Sequence, residues 1–599
     1  MIKVSDYIAK RLHDVYGADT VFLVSGGGAM HLNDSIGKYM NYVCNHNEQA
    51  CAIAAEGYAR VNQKLAVVNV TTGPGGLNSL NGVMGQWTDS VPVLYLSGQV
   101  KHSTTIDSCR EIPLRQLGDQ EVDIISVVKP LTKYAEMVRD PNDIKYHLDR
   151  AVYLATHGRF GPTWLDIPLN IQAAMIDETK LREYNPREDE LKLPNIENEI
   201  SKLVQMIKQS KRPLFVAGHG IRLSNAIKEF EELVAKTNIP VVTTMNGFDV
   251  VDEKNPNFVA RIGTVANRAG NFALQNADLV ITVGSRNNIR QVSYNWENYA
   301  KNADLVCVDI DAAELNKPTL YPALKINADC KDFITRLNKV VAQRSANDWN
   351  KWTRDIKAKY PPVSEAPRVA DNPIEPYSFI ETLVKNFDKD AVVVAGNGTA
   401  FLLPFQVGQV KRGQRYIWNS GDASMGYDLP AAIGACFANG RRDTICLAGD
   451  GSIMMNLQEL QTMRHYNLPI KLFILNNDGY ISIQQTQKNF FNGRMTACSR
   501  DSGVSIPDFT RVGAAFDLPT VKIEQKYNLD SQIQNVLKTP GPVLCEVMLT
   551  PGYTFAPKLS AKKLPDGSMV SPSLEDLSPF LPESEMKQNM LISVNQKQK

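Results

Sequence analysis

A chain of 599 residues, 43% hydrophobic and 22% charged, has ordinary globular composition and is too long for one core, so several domains are expected. With 65 basic against 64 acidic residues, a net charge of +1 and no long basic run, it offers no nucleic-acid footprint and no surface for an anionic membrane, which leaves small molecules as the ligand class. No apolar stretch reaches the ~18 residues a spanning helix needs, and nine scattered cysteines without a CxxC, after an amphipathic rather than signal-like start ("MIKVSDYIAKRLHDVYG"), point to a reducing cytoplasm.

Strand-like apolar runs alternate with helical stretches along the chain. The first group is "TVFLVSGGG", "LAVVNVTTGPGG" and "VPVLYLSGQ"; the second is "RPLFVAGHG", "IPVVTTMNG", "DLVITVGSR" and "LVCVDID"; the third is "AVVVAGNGT", "DTICLAGDG" and "IKLFILNND". Short Val/Ile/Leu runs that end in glycine turns and lead into helices are the pattern of parallel strands covered on both faces. The fold class is therefore α/β, with three doubly wound parallel-sheet domains. Charged, proline-bearing stretches at 184–194 and 342–376 read as connectors and give blocks 1–180, 190–345 and 370–555. Residues 556–599 are Pro/Ser/Lys-rich and aperiodic, which predicts an extended C-terminal arm or partly disordered tail.

In open α/β sheets, ligands bind beyond the carboxyl ends of the strands. The turns "VSGGGAMH" (24–31) and "TTGPGGLN" (71–78) fall there and offer backbone amides to an anion, although any tight strand-to-helix turn also selects glycine. A stronger pattern joins "TICLAGDGS" to "IKLFILNND": two buried strands run out into Asp450 and Asn477, with 26 residues between these two. Asp450, the Asn477 side-chain oxygen and a main-chain carbonyl after it would give a hard cation three oxygen ligands. Diphosphate oxygens and water would complete a Mg²⁺ shell. Gly449 and Gly451 let the backbone approach a diphosphate, and a helix starting near Ser452 adds its positive end.

This GDGS…NN pattern resembles the diphosphate-binding motif of the thiamine diphosphate (ThDP) enzymes. The resemblance implies Mg²⁺ on Asp450, Asn477 and Gly479, with Tyr480 and Ile481 in the same cofactor-binding turn. "NHNEQACAIAAEGYAR" (45–60) resembles the segment of that superfamily whose glutamate activates the cofactor, which gives Glu48 the catalytic role. Its carboxyl, bonded to the aminopyrimidine, drives the imino tautomer whose nitrogen takes the thiazolium C2 proton. An acid in the first turn of a helix also has a structural explanation in the helix dipole. That explains its location but not its coincidence with a metal motif far downstream.

Within the superfamily the resemblance is to the acetolactate synthase-like (acetohydroxyacid synthase/pyruvate oxidase) family, over nearly the whole chain to about residue 555. It implies a pyrimidine-binding domain at 1–180, a central flavin- or nucleotide-type domain at 190–345 and a diphosphate-binding domain at 370–555. "TTGPGGLN" is similar to the family's Gly-Pro-Gly segment, placing Gly73, Pro74 and Asn78 near the pyrimidine. "GDASMGYDLPAAIGA" supplies Ser424 and Met425, the latter as the apolar prop that bends the cofactor, and "GNGTAF" supplies Asn397, Gly398 and Thr399 on the far side of the diphosphate. A homodimer or homotetramer with the active site between subunits is implied. The central block resembles the family's FAD-binding domain and gives Gly263, Asn271, Arg286, Arg290 and Asp309 as flavin contacts, although many relatives keep this fold with no flavin or with ADP.

Departures from the family bear on the reaction. No His-His pair occurs, and Ile483 stands where pyruvate decarboxylases carry a glutamate, so protonation to a free aldehyde is disfavoured. Carboligation is the natural alternative, and "DQEVDIISVVKPLTKY" puts Gln120, a catalytic candidate, and Lys133 at family active-site positions. Gly27 is assigned to substrate in the first glycine turn. Gln485 falls where acetolactate synthases carry the tryptophan that sets acceptor preference; the long loop "TTIDSCREIPLRQLGD" adds Arg110 and Arg115; and Asp119 replaces an expected phenylalanine. The resulting expectation is that pyruvate donates a two-carbon unit to a ketone acceptor larger and more anionic than itself, a nucleotide-linked keto-sugar being the favourite. Acetolactate synthase proper, using a second 2-oxo acid, and a ThDP-dependent C–C lyase or hydrolase are the alternatives.

Overall fold

In the computed structural model, which describes residues 1–362, 374–563 and 569–592, the apolar runs form three six-stranded sheets. Every strand pair in them is parallel. Central strands such as Ala66–Val70, Leu279–Val283 and Ile470–Asn476 are buried along their whole length, so both faces select apolar residues and the sequence shows unbroken runs rather than alternation.

The first sheet is ordered Asn41–Cys44, Thr20–Leu23, Ala66–Val70, Val93–Gln99, Thr163–Pro168, Tyr134–Met137. Numbered along the chain, this order is 2-1-3-4-6-5. The third sheet, built from Val392–Ala395, Arg415–Trp418, Thr444–Gly449, Ile470–Asn476, Thr520–Ile523 and Val543–Met548, has the same order. The middle sheet differs: Pro213–Ala217, Val241–Thr243, Phe258–Arg261, Leu279–Val283, Asp304–Asp309 and Leu324–Asn327 run 3-2-1-4-5-6, the dinucleotide-binding order.

First and third domains meet through equivalent helices, each lying between the second and third strands of its domain. Among the described residues Glu48–Asn62 and Asp428–Ala438 make the largest contact between two helices. A Cβ at Gly434 would lie 1.8 Å from the Ala54 carbonyl oxygen, and one at Gly57 would lie 2.1 Å from that of Ala431. Glycine is required at both positions by this approach, each helix resting on the other's backbone. At the same junction the fully buried Glu56 accepts from Arg60 and from the Tyr427 hydroxyl, and Arg60 also pairs with Asp89 at 2.8 Å. Burial raises the Glu56 carboxyl to about 7. The central domain is tied to the third by Asp249, which accepts from Arg415 at 2.7 Å and from the Tyr416 amide at 2.9 Å. Burial opposes the Asp249 charge, yet Arg222 and Arg415 hold its carboxyl well below the usual range.

Two stretches differ from the expectation. Within the predicted connector at 342–376, helix Asp348–Lys359 packs on the central domain, its Trp349, Thr353 and Ile356 buried at helical spacing and the Trp349 indole donating to Pro213 O at 2.8 Å. The apolar stripe is narrow and sits among charges, which hid it. The described part of the C-terminal arm is docked rather than free: Leu574 and Leu577 are buried, and Asn271 and Arg268 donate to their carbonyls at 2.8 and 3.0 Å. Helix Glu583–Asn589 follows, with Asn276 donating to Asn589 O at 2.9 Å. The remainder of the arm lies outside the described residues.

Candidate active site

Strands Thr444–Gly449 and Ile470–Asn476 are adjacent and in register, Gly449 opposite Leu475, so the residues beyond their carboxyl ends converge. Asp450 Oδ2 accepts from the Asn477 amide at 2.9 Å, Asn477 Nδ2 at 3.0 Å and the Gly479 amide at 3.1 Å, and Oδ1 accepts from Gly451 N at 2.7 Å. Asn477 Nδ2 also donates to Gly479 O at 3.0 Å. A half-turn of this amide exchanges atoms of nearly equal size and sets Oδ1 beside Asp450 Oδ2 and Gly479 O. Among the described residues no three His, Cys, Asp or Glu side chains gather as a metal site, so a cation depends here on one carboxylate, one amide and one carbonyl oxygen. Those are the hard donors Mg²⁺ accepts alongside phosphate, and the residues fit such an ion. Burial raises the Asp450 carboxyl against the donors that hold it down, so a cation would meet an under-compensated charge.

The surrounding turns pack closely around the loop. A Cβ at Gly451 would lie 2.2 Å from the Tyr480 ring and 3.5 Å from Met425 Cε, so Met425 and the Asp450 loop are neighbours. Ser452 Oγ accepts from the Gly426 amide at 2.9 Å, which fastens the Met425 loop rather than facing outward. Ser424 bonds Asn81 of the first domain. On the other flank, Asn397 Nδ2 donates to Ala423 O at 3.0 Å, Gly398 (φ +53°) faces Ser482, and Thr399 bonds the Tyr553 hydroxyl. Helix Ile481–Phe490 begins directly after the loop, its Ile481 buried. The helix at Asp450–Ile453 is only one turn, shorter than the run expected from Ser452 onward.

A second cluster forms in the first domain. Glu48 opens helix Glu48–Asn62 behind Asn47, whose side chain accepts from Gln49 N at 2.8 Å, and Glu48 is 9% exposed. Asn78 Nδ2 donates to Glu48 Oε2 at 3.0 Å. Gly73 (φ +64°) lies so close to Gln120 that a Cβ would stand 1.9 Å from the Gln120 carbonyl oxygen, and Pro74 starts the short helix to Asn78. Gly27 heads the neighbouring strand-end turn, where Gly28 N donates to Thr71 Oγ1 at 3.2 Å. Among the described residues no hydrogen bond joins Glu48 directly to the Asp450 loop.

The middle sheet opens a crevice at its switch point, between the first and fourth strands. Gly218 N donates to Val283 O at 2.9 Å, and a Cβ there would meet Gly284 O at 2.2 Å. Arg286, Asp309 and His219 line this space, about 990 Å³ of empty volume that is partly open to solvent. Burial raises Asp309 to about 6, and His219 Nδ1 is buried without a partner. Gly263, Asn271 and Arg290 do not line it: Asn271 bridges Gly263 to the arm, accepting from Gly263 N at 3.1 Å and donating to Leu574 O at 2.8 Å.

Other predicted residues stand apart. Arg110 is exposed and paired with Asp107, which also binds Arg139 at 2.7 Å; Arg115 is exposed. Lys133 donates to His157 O at 2.7 Å and to Leu154 O, at the end of helix Ile144–Thr156, and burial lowers its ammonium to about 8. Gln485 is 8% exposed and donates to Tyr553 O at 2.8 Å. Sequence reasoning passed over Tyr553, which reaches Thr399 and Asn477, and Lys558, bonded to Gln485 at 3.0 Å. Tyr553 follows the strand Val543–Met548, the neighbour of Ile470–Asn476, so strand order was the missing signal.

Three domain models of the thiamine pyrophosphate enzymes match the chain: the N-terminal TPP binding domain at residues 2–126, the central domain at 200–337 and the C-terminal TPP binding domain at 394–547. The chain belongs to this family, as a ThDP-dependent enzyme of the acetolactate synthase-like type. It is 30% identical over 567 residues to the acetolactate synthase large subunit of Cyanidium caldarium, covering 91% of this chain and 92% of the relative. It is 28% identical over 540 residues to the acetolactate synthase isozyme 1 large subunit of Escherichia coli (strain K12), covering 89% and 92%. The acetolactate synthase large subunit of Lactococcus lactis is 30% identical over 550 residues, with 91% and 92% covered.

Proposed function

We propose that the enzyme decarboxylates pyruvate and joins the remaining two-carbon unit to the carbonyl of a second 2-oxo acid, as an acetolactate synthase. The keto-sugar acceptor expected from the arginine loop loses its support in the structure, because Arg110 is neutralised by Asp107 and exposed. The names of the similar proteins favour the 2-oxo acid.

When bound, ThDP supplies the carbon nucleophile and electron sink that let a 2-oxo acid lose carbon dioxide. The oxygens of Asp450, Asn477 and Gly479 would hold Mg²⁺ and through it the diphosphate, with Gly398 giving the backbone room. Glu48, oriented by Asn78, would hold and move the proton at the aminopyrimidine. Met425 lies beside the loop, and Ile481 packs into the core behind it. The observation that carries the carboligase reading is helix Ile481–Phe490, "ISIQQTQKNF": it starts beside the metal-type loop and contains no acid or histidine to protonate a two-carbon unit.

The central crevice supports FAD: dinucleotide strand order, close glycines at 218 and 284, and Asp309 and Arg286 on its walls. Flavin absorbance in the purified protein tests it. Exposed Leu77, Met84, Trp87, Met454 and Met455 support a homodimer whose faces close over both clusters, which sedimentation would read. The nine unpaired cysteines accord with a reducing cytoplasm. Among the described residues no helix is long and apolar enough to cross a membrane.

The deciding experiment is a product analysis by NMR: enzyme with Mg²⁺, ThDP and carbon-labelled pyruvate, without and then with candidate acceptors. Acetolactate from pyruvate alone supports the reading. Pyruvate consumed only with a keto-sugar nucleotide would replace the acceptor, and cleavage of a diketone with no ligation product would replace the reaction.

A further inference from the structure

After the last strand of the third domain the chain crosses helix Ile481–Phe490. There Lys558 Nζ donates to Gln485 Oε1 at 3.0 Å, and Gln485 Nε2 donates to Tyr553 O at 2.8 Å. The Tyr553 hydroxyl donates to Asn477 Oδ1 at 3.4 Å and bonds Thr399. Tyr553, its hydroxyl beside the Asn477 side chain and its main-chain oxygen held by Gln485, therefore ties the metal-type loop to the Lys558 ammonium.

That ammonium is unusual for its surroundings. It is half-buried, and among the described residues its only side-chain partner is neutral Gln485, with no carboxylate at ion-pair distance. Burial lowers its pKa and no neighbouring charge raises it. An ammonium has three donors, so two are uncommitted. A half-buried cation without a counter-charge costs stability, and a neutral side chain would fasten the arm to Gln485 equally well. The arm has neutral fastenings already: Leu559 N donates to Thr264 O at 2.7 Å, and Thr264 N to Arg290 O at 2.9 Å. Arg290, on that same stretch, is exposed and in no ion pair among the described residues. Lys558 and Arg290 are thus two cations near the arm's fastening that have no ion-pair partner among the described residues.

We propose that Lys558, held in place by Gln485, binds the anionic group of the ketone acceptor. That group is the carboxylate of a 2-oxo acid or the phosphate of a sugar acceptor. The inference rests on the carboligase reading above and names a residue that reading does not use.

The test compares wild-type holoenzyme with Lys558→Met and Lys558→Arg in two assays: carbon dioxide released from labelled pyruvate in the first turnover, and acceptor KM in carboligation. Acceptors are 2-oxobutanoate, a keto-sugar nucleotide and an uncharged aldehyde. Loss of one charged hydrogen bond predicts an acceptor KM raised about 10- to 100-fold in Lys558→Met for the anionic acceptor only. First-turnover release should be preserved, and Lys558→Arg should recover most of the affinity. Whichever anionic acceptor responds identifies the source of the anion. An unchanged KM overturns the proposal, as does an equal loss with the aldehyde, which would make Lys558 a fastening of the arm. If Lys558→Met does not fold, Lys558→Arg and Gln485→Met carry the same comparison, Gln485→Met being expected to weaken the anionic acceptor alone. No carbon dioxide from wild type would overturn the carboligase reading itself, and the anchor with it.

Discussion

A carboxylate at the first position of a helix has a structural use at the dipole, and Glu48 has a second feature that use does not require: it is 9% exposed and takes a hydrogen bond from Asn78 of the glycine segment. If its task is to move a proton, Glu48→Gln should keep the fold and the thermal stabilisation by ThDP while kcat falls by ~10²- to 10⁴-fold. Turnover near the wild-type rate would remove Glu48 from the mechanism. A second residue tests the electrostatics. Asp166 is fully buried between Ser97 and Gln99, and burial raises its carboxyl from 3.8 to about 7. The fold therefore prefers the protonated form; that contribution is fully present below about 4 and is lost as pH rises through about 7. Melting curves of wild type and Asp166→Asn across this window should converge at the acid end, with wild type falling below the variant at the alkaline end. Parallel curves would mean Asp166 does not titrate there.

Elements show why part of the molecule was legible. The strands that were read from sequence are buried on both faces, so their identity is written in consecutive residues, and for most of them a glycine turn marks the carboxyl end where ligands lie. The GDG and NN turns could be joined because their spacing matched a known motif; the sheet then makes them neighbours through Gly449 and Leu475. Tyr553, Lys558 and helix Asp348–Lys359 were not legible for the opposite reason: their roles depend on what packs against them. The same holds for the helix pair joining first and third domains, whose glycines look unremarkable in "EGYAR" and "AIGAC". Gly434 does not sit in the left-handed region, so its requirement is the Ala54 oxygen, not backbone strain. Gly434→Val should cost about 1–3 kcal/mol by overpacking and lower the transition that unfolds the two domains. Calorimetry reads this, and an unshifted transition would show that the helices can separate without cost.

At the scale of the whole chain, the arm and the cofactor are two ways of fastening three domains together. Deleting residues 572–599 removes Leu574 from the central core, buried Leu577 with it, and takes carbonyl acceptors from Asn271 and Asn276. Each buried amide so affected costs about 1–3 kcal/mol, so the truncated protein should melt early in the central domain while ThDP still protects the outer two. Uniform melting would place the arm outside the central core. The cofactor would act between the first and third domains, across the proposed subunit interface. Its diphosphate half would bind at Asp450 and its pyrimidine half at Glu48, and among the described residues these clusters share no direct hydrogen bond. Binding should stabilise both outer domains together, by about 2.7 kcal/mol at 100-fold excess over Kd, or roughly 5–10 °C in apparent Tm. The effect should need ThDP and Mg²⁺ together, disappear with a chelator and be lost in Asp450→Asn, while the central domain's transition stays in place. A shift from ThDP alone that a chelator leaves intact would mean that the three oxygens at 450, 477 and 479 hold no cation, and the diphosphate would then have to be gripped by backbone amides.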